Sequence, residues 1–361
     1  MISVLFESHH LYYLPNFLPI IQEMRRRNEY EIFSSIPYSM PIEEKNIFYQ
    51  TCNDNNISTI VSGNEENRIQ TIKNKKFDII VVGNIGKIEK IAADNSLTIM
   101  VYHGIGLKQT YYNDIVDRIN IRAVESKDRF DILTHQGHTN LIINGYTKCD
   151  PLINNDRSTE NLLKQSGLDK NKKTVLYAPS FYPSSIEKIY PELNYFSNEF
   201  NLIIKLHNFS WFQKRYVYQS EMMKSLEKNS TNIYLAKPND IDVIPFMKVS
   251  DLLISDISST IFEFLPLDRP IIMAECLTIR FKHRILKKRF SRKLDLERYD
   301  SVDFVNRIND PLQLNGLIYH CIEYPNELSK YRIKAIKKYL YKNDGKASSR
   351  LVDAIEKQLI S

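Results

Sequence analysis

Short apolar runs recur along the chain, and most are separated by enough polar sequence to hold a helix. ISVLF (2–6), EIFSSI (31–36), NISTIV (56–61), FDIIVVG (77–83) and LTIMVYH (97–103) come first, followed by the shorter ILTHQG (132–137) and NLIINGY (140–146). Each reads as a strand. LPNFLPIIQEMRRRN (14–28) has helical spacing and a basic last turn, so a helix is predicted there. Unbroken apolar strands alternating with helices predict a parallel sheet covered on both faces.

The rhythm stops in the polar stretch NNDRSTENLLKQSGLDKNKK (154–173) and then restarts. KTVLYAP (173–179), FNLIIKLH (200–207), NIYLAK (232–237), DLLISD (251–256) and RPIIMAE (269–275) form a second set of strands. The tail segments NELSKYRIKAIKKYL and SRLVDAIEKQLI are amphipathic helices. The expected organisation is one domain over 1–155, a second over 156–325, and C-terminal helices over 326–361 that pack back on the first. Two open α/β sheets place their ligand sites at the carboxyl ends of the strands, so a cleft between the domains is expected.

Composition narrows the class. A charged fraction of 25% and a hydrophobic fraction of 43% are those of an ordinary globular chain. No apolar run approaches the roughly 20 residues of a membrane-spanning helix. MISVLFESHH lacks the basic segment and long apolar core of a secretory signal, and Cys52, Cys149, Cys276 and Cys321 are scattered, so a cytoplasmic setting is expected. Neither the cysteines nor the histidines have metal-ligand spacing. The formal charge of +6 is concentrated in RFKHRILKKRFSRK (280–293), which contains no acid. Such a block is either a solvated face or a contact for phosphates or an anionic membrane. It carries no nucleic-acid motif and little aromatic interleaving, so nucleic-acid binding is not expected.

Several strand ends carry chemistry. His103 closes a strand, and Gly104 and Gly106 let the backbone turn tightly beside it, with Lys108 adding a positive charge. His103 is either a satisfied spacer or a general base to a hydroxyl nucleophile. His207 ends the run IIKLH, with Lys205 alternating on the same side; it is either structural or a hydrogen-bond donor to phosphate. In LLISDISSTIFEFLPL, Asp256 opens a turn, and Ser258 or Ser259 suits the start of a helix over STIFEFLPL. The serines either cap that helix or hold a phosphate at its N-terminus. Glu263 is either an exposed acid or an acceptor for ribose hydroxyls.

The order VYHGIGLK, GYTKCDPL, VLYAPSF, IIKLHN and SDLLISDISSTIFEFLPLDRPII, spread over 101–275, resembles the CDP-glycerol:glycerophosphotransferases, the teichoic acid primases and polymerases with related capsule polymerases. The opening FESHHLYYLPNFLPII, with His9 and His10, is compatible with it. The resemblance implies an α/β fold of GT-B type, with two Rossmann-like domains and a cleft between them. It implies transfer of an alditol phosphate from a CDP-alditol to an acceptor hydroxyl, releasing CMP. Carried over by position, His103 is the base and His207 stands at the donor diphosphate. Ser258 and Ser259 lie on the donor phosphates, where Lys205 is also expected from its alternation with His207, and Asp256 and Glu263 flank the serine pair toward the nucleotide. Gly104, Gly106, Lys108, His9 and His10 fall on the acceptor side. No acidic pair suited to a metal stands at a strand end, so neither a metal nor another cofactor is expected.

The chain departs from the family pattern at several places: Ile105-Gly106 for Thr-Pro, Thr147-Lys148-Cys149 for Pro-Arg-Asn, Tyr182 for an arginine, Asn208 for a proline and Ile257 for an aromatic residue. Glycerol phosphate is the expected unit transferred, with ribitol phosphate, another alditol phosphate or a capsular sugar phosphate as alternatives. The acceptor implied is a lipid-linked or polyanionic glycan, and the basic run 280–293 suits attachment to the inner face of the cell membrane. Three rival readings use the same architecture: a GT-B glycosyltransferase taking a nucleotide sugar, a non-catalytic binding protein and a UDP-sugar epimerase.

Overall fold

The computed structural model describes residues 1–107, 112, 116–154, 162–280 and 295–360. The chain divides into two compact units, one formed by 1–104, 111–153 and 338–361, the other by 105–110 and 154–337.

In the first unit the described strands are β1 (Ile2–Glu7), β2 (Tyr30–Ser35), β3 (Ser58–Thr59), β4 (Ile79–Val82), β5 (Leu97–Val101), β6 (Ile121–Val124) and β7 (Leu141–Ile143). They form one sheet in the order β3-β2-β1-β4-β5-β6-β7, every pair parallel. β4 is buried along its whole length, as expected of a strand with helices on both faces. Two features differ from the sequence reading. ILTHQG falls in and just after the helix Lys127–His135, whose first turn is capped by the Ser126 side chain accepting from Arg129 N. β6 escaped notice because Arg122 interrupts its apolar run, although that arginine is itself buried.

The C-terminal helix Ala347–Ile360 is tied to this unit. The buried Asp150 carboxylate accepts from Ala347 N at 2.9 Å and Ser348 N at 2.7 Å, satisfying donors that the first turn leaves free. Arg27, in the basic last turn of the helix Leu14–Arg27, reaches Asp353 and Glu356 at 2.6 Å each.

The second unit contains β8 (Thr174–Tyr177), β9 (Asn201–Ile204), β10 (Ile233–Leu235), β11 (Leu252–Ser255), β12 (Ile271–Ala274) and β13 (Asn306–Ile308), in the parallel order β10-β9-β8-β11-β12-β13. In both sheets the winding direction reverses beside the unit's first strand, between β1 and β4 and between β8 and β11. At such a reversal the connections run to opposite faces and leave a crevice at the carboxyl ends of the strands.

Candidate functional site

In the first unit, the groups that stand at these carboxyl ends come from β1, β4 and β5. His103 lies two residues past β5, with Nδ1 3.0 Å from the carbonyl oxygen of Gly83. A carbonyl only accepts, so Nδ1 carries the proton, and the lone pair of the neutral form lies at Nε2. Tyr13 lies against this imidazole with ring centroids 4.4 Å apart. Its hydroxyl accepts from Asn84 Nδ2 at 2.7 Å. Gly83 makes this possible, because a Cβ there would come within 2.1 Å of the Tyr13 ring.

His9 and His10 follow β1. His9 is packed over Gly86, whose φ of +41° suits glycine and where a Cβ would overlap the imidazole. Burial, reinforced by His10, Arg68, His103 and Lys87, lowers the His9 pKa to about 4, so it is neutral at physiological pH. His10 stacks on Tyr12 at 5.4 Å, with Nδ1 3.6 Å from Glu44. Beneath them Glu7, at the end of β1, receives Arg68 Nη1 at 2.9 Å on both oxygens and the Ser35 hydroxyl. Burial raises the Glu7 pKa against the pull of Arg68.

The stretch after His103 divides at Gly104. Gly104 is buried in the first unit, whereas Ile105–Leu107, with the buried Gly106, groups with the second, where the Leu107 carbonyl accepts from Asp295 N at 2.9 Å. Lys108 lies outside the described residues.

In the second unit His207 follows β9 and heads the short helix Asn208–Phe212. Its Nδ1 accepts from Phe209 N at 3.1 Å. The neutral ring therefore carries its proton on Nε2, the reverse of His103. Phe181 and Phe209 flank it at 4.7 and 5.0 Å. Lys205 is buried, with Nζ donating to the Leu206 carbonyl at 3.0 Å.

After β11 the helix is shorter than the sequence suggests: one α-turn, Thr260–Glu263, then a 3-10 turn, Leu265–Leu267. Pro266 and the left-handed Asp268 stop it, so little helix dipole accumulates. Ser258 and Ser259 are half-buried. Ser258 Oγ accepts from Thr260 N at 3.3 Å, whereas Ser259 Oγ makes no cap and donates to Glu263 Oε1 at 3.0 Å. Glu263 is buried, so neither a free surface acid nor a direct approach to a ribose describes it here.

Asp256 is fully enclosed, and its carboxylate faces protein rather than a nucleotide. One oxygen accepts from Ser180 N at 2.8 Å; the other accepts from Ser185 N and Ser185 Oγ at 3.0 Å. Burial raises its pKa to about 6, with those hydrogen bonds pulling the other way. It holds the loop after β8, which carries Phe181, at the end of β11.

Gly83, Tyr13, Ser180 and Ser185 were not singled out from the sequence. A glycine directly after the buried run IIVV is a signal that could have found the first; the serines look like ordinary loop residues. Among the described residues, no three His, Cys, Asp or Glu side chains gather as a group able to hold a metal ion, and no helix is long and apolar enough to cross a membrane.

Comparison with known proteins bears on these features. The family model described as CDP-Glycerol:Poly(glycerophosphate) glycerophosphotransferase matches residues 4–357. A teichoic acid glycerol-phosphate primase of Bacillus spizizenii (strain ATCC 23059 / NRRL B-14472 / W23) is 30% identical over 155 residues, covering 40% of this chain and 36% of the primase. A teichoic acid poly(glycerol phosphate) polymerase of the same strain is 33% identical over 144 residues, covering 36% and 34%. The matches thus span about a third of each curated relative. A structure of the wall teichoic acid polymerase TagF superposes with a TM-score of 0.70 at 16% identity, over 99% of this chain and 88% of that one. A UDP-GlcNAc 2-epimerase from Neisseria meningitidis, bound to UDP-GlcNAc, gives 0.63 at 16% identity, over 99% of both chains. These likenesses establish the fold as α/β of GT-B type.

Proposed function

The chain belongs to the CDP-glycerol:poly(glycerophosphate) glycerophosphotransferase family, and on that premise we propose that it transfers an alditol phosphate, glycerol phosphate first among them, from a CDP-alditol to an acceptor hydroxyl in cell-surface polymer synthesis, releasing CMP. The observation that carries this reading is the opposite setting of the two imidazoles: His103 offers a lone pair at Nε2, and His207 offers a proton there.

The chemistry divides accordingly. His103 takes the proton of the acceptor hydroxyl as its oxygen attacks the alditol-bearing phosphorus. The bond from that phosphorus to the bridging oxygen breaks, and the electron pair leaves on CMP. His207 Nε2–H donates to the diphosphate oxygens, where negative charge grows, and so favours the transition state over the ground state. Ser258 adds a hydroxyl donor, whereas the Ser259 proton is committed to Glu263. The short helix behind them contributes little, so the Ser258 hydroxyl acts as an individual group. Asp256 and the Glu263–Ser259 contact hold these donors in place.

The acceptor is a lipid-linked or polyanionic glycan of a teichoic acid or capsule. The basic run 280–293, of which only Arg280 lies among the described residues, holds the protein peripherally on the cytoplasmic membrane face at ~1 kcal/mol per cation near the surface.

The test is release of CMP from CDP-glycerol and from CDP-ribitol, with a lipid-like acceptor, in the presence and absence of EDTA. CMP with EDTA present is the expected product. Release of a nucleoside diphosphate from a nucleotide sugar, with no CMP from either CDP-alditol, would establish the glycosyltransferase reading instead.

A further inference from the structure

The loop that Asp256 secures also carries Tyr182, a residue to which the reaction above gives no task. A single antiparallel bridge between Ser184 and Thr278 joins this loop to the chain leaving β12, with Thr278 N donating to Ser184 O at 2.7 Å. Two residues on, Arg280 N donates to the Tyr182 hydroxyl at 3.3 Å. The Arg280 guanidinium then lies over the Tyr182 ring, 4.0 Å from its centroid, and 5.3 Å from that of Tyr216.

Tyr216 is buried and packs against Phe181 at 5.1 Å, and Phe181 packs against His207 at 4.7 Å. Arg280 and His207 therefore belong to one aromatic cluster. Arg280 is partly exposed, and Arg215, itself exposed, is close enough to repel it. Among the described residues no carboxylate pairs with Arg280. Partial burial and Arg215 together lower its pKa, with only Tyr182 opposing them. Elsewhere in the unit half-buried Arg307 pairs with Glu275 and buried Arg332 with Asp268, while half-buried Arg269 donates to the carbonyls of Lys248 and Ser250. A guanidinium held over one ring and beside another, facing a second cation and, among the described residues, no carboxylate, is pre-organised for a ligand's negative charge.

We infer that Arg280, with Arg215 beside it, holds a phosphate oxygen of the substrate in the aromatic cluster that also contains His207. The inference rests on the transfer reading for what that substrate is, not for the contact itself. A planar guanidinium stacked in this way can give two parallel N–H bonds to one phosphate, which an ammonium cannot. The phosphate belongs either to the donor's diphosphate or to the phosphodiester chain of the acceptor.

Calorimetric titration with CDP, with cytidine and with a short glycerol phosphate oligomer tests it. In Arg280→Gln, affinity for CDP or for the oligomer falls about tenfold, the loss expected for a charged hydrogen bond, while cytidine, which has no phosphate, binds as before. Loss on CDP assigns the contact to the donor, and loss on the oligomer assigns it to the acceptor. Tyr182→Leu keeps the charge but removes the platform, and weakens the same probe. Arg280→Lys restores less than half of the lost binding, and Tyr182→Phe stays within about threefold of wild type. Affinities for CDP and oligomer both within twofold of wild type in Arg280→Gln, or an equal loss for cytidine, would overturn the inference. If the wild type releases no CMP from CDP-glycerol while Arg280→Gln still weakens CDP binding, the transfer reading fails and the anion contact stands.

Discussion

Asp256→Asn keeps the shape of a fully buried side chain and removes its charge. The native carboxyl has a pKa of about 6 where an ordinary aspartate has 3.8, burial being the main cause. The native state thus binds the proton more tightly than the unfolded chain. The stability this group contributes is complete below about pH 4 and is lost as pH rises through about 6. For a shift of that size the loss between pH 4.5 and 7.5 is about 2 kcal/mol. Asparagine does not titrate, so comparing wild type and variant at each pH isolates this one group. Asparagine also leaves one of three donors (Ser180 N, Ser185 N or Ser185 Oγ) without an acceptor, a pH-independent cost of about 1–3 kcal/mol. The variant is therefore less stable throughout, by about 2 kcal/mol more in acid than near neutrality. The chain's single tryptophan, Trp211, lies in the second unit, so its fluorescence in urea titrations follows the unit that matters. A stability difference constant to within about 0.5 kcal/mol from pH 4.5 to 7.5, or one that widens toward neutrality, would refute the enclosed, raised-pKa carboxylate.

Other expectations concern activity. Gly83→Ala forces Tyr13 away from its place beside His103, because a Cβ would sit 2.1 Å from the ring; turnover falls at least about tenfold while CDP affinity, which the proposed function assigns to the second unit, is unchanged in calorimetry. His103→Ala and His207→Ala each cut CMP release at least about 100-fold, and only the second weakens CDP binding; near-normal rates in both would remove the mechanism. In flotation with liposomes containing anionic lipid, the protein rises with the vesicles at low salt and is released as salt screens the contact. Neutralising the lysines and arginines of 282–293 abolishes this binding, and unaffected flotation of that variant would reject the membrane role.

Most of the framework was legible in the chain. Strands covered on both faces must be apolar throughout, and the glycines, histidines and serines at their carboxyl ends mark where ligands of such sheets bind. Local sequence failed where a polar residue is buried among partners distant in the chain. Arg122 hid β6 within an otherwise readable strand, and ILTHQG, apolar enough for a strand, belongs to the end of a helix that Ser126 starts. Asp256 and Glu263 carried the right residue type for a ligand contact, but their partners at Ser180, Ser185 and Ser259 turn them inward.

The sequence by itself determined the succession of strands, the two sheets and the residue types at their ends, because periodicity and burial are properties of neighbours along the chain. Only the tertiary structure decided which nitrogen of each histidine holds the proton, which carboxylates are spent inside the protein, and that an arginine distant in sequence lies on Tyr182. Those outcomes depend on hydrogen-bond partners and ring contacts that chain folding brings together, and a proton's position on an imidazole is set by what the other nitrogen touches.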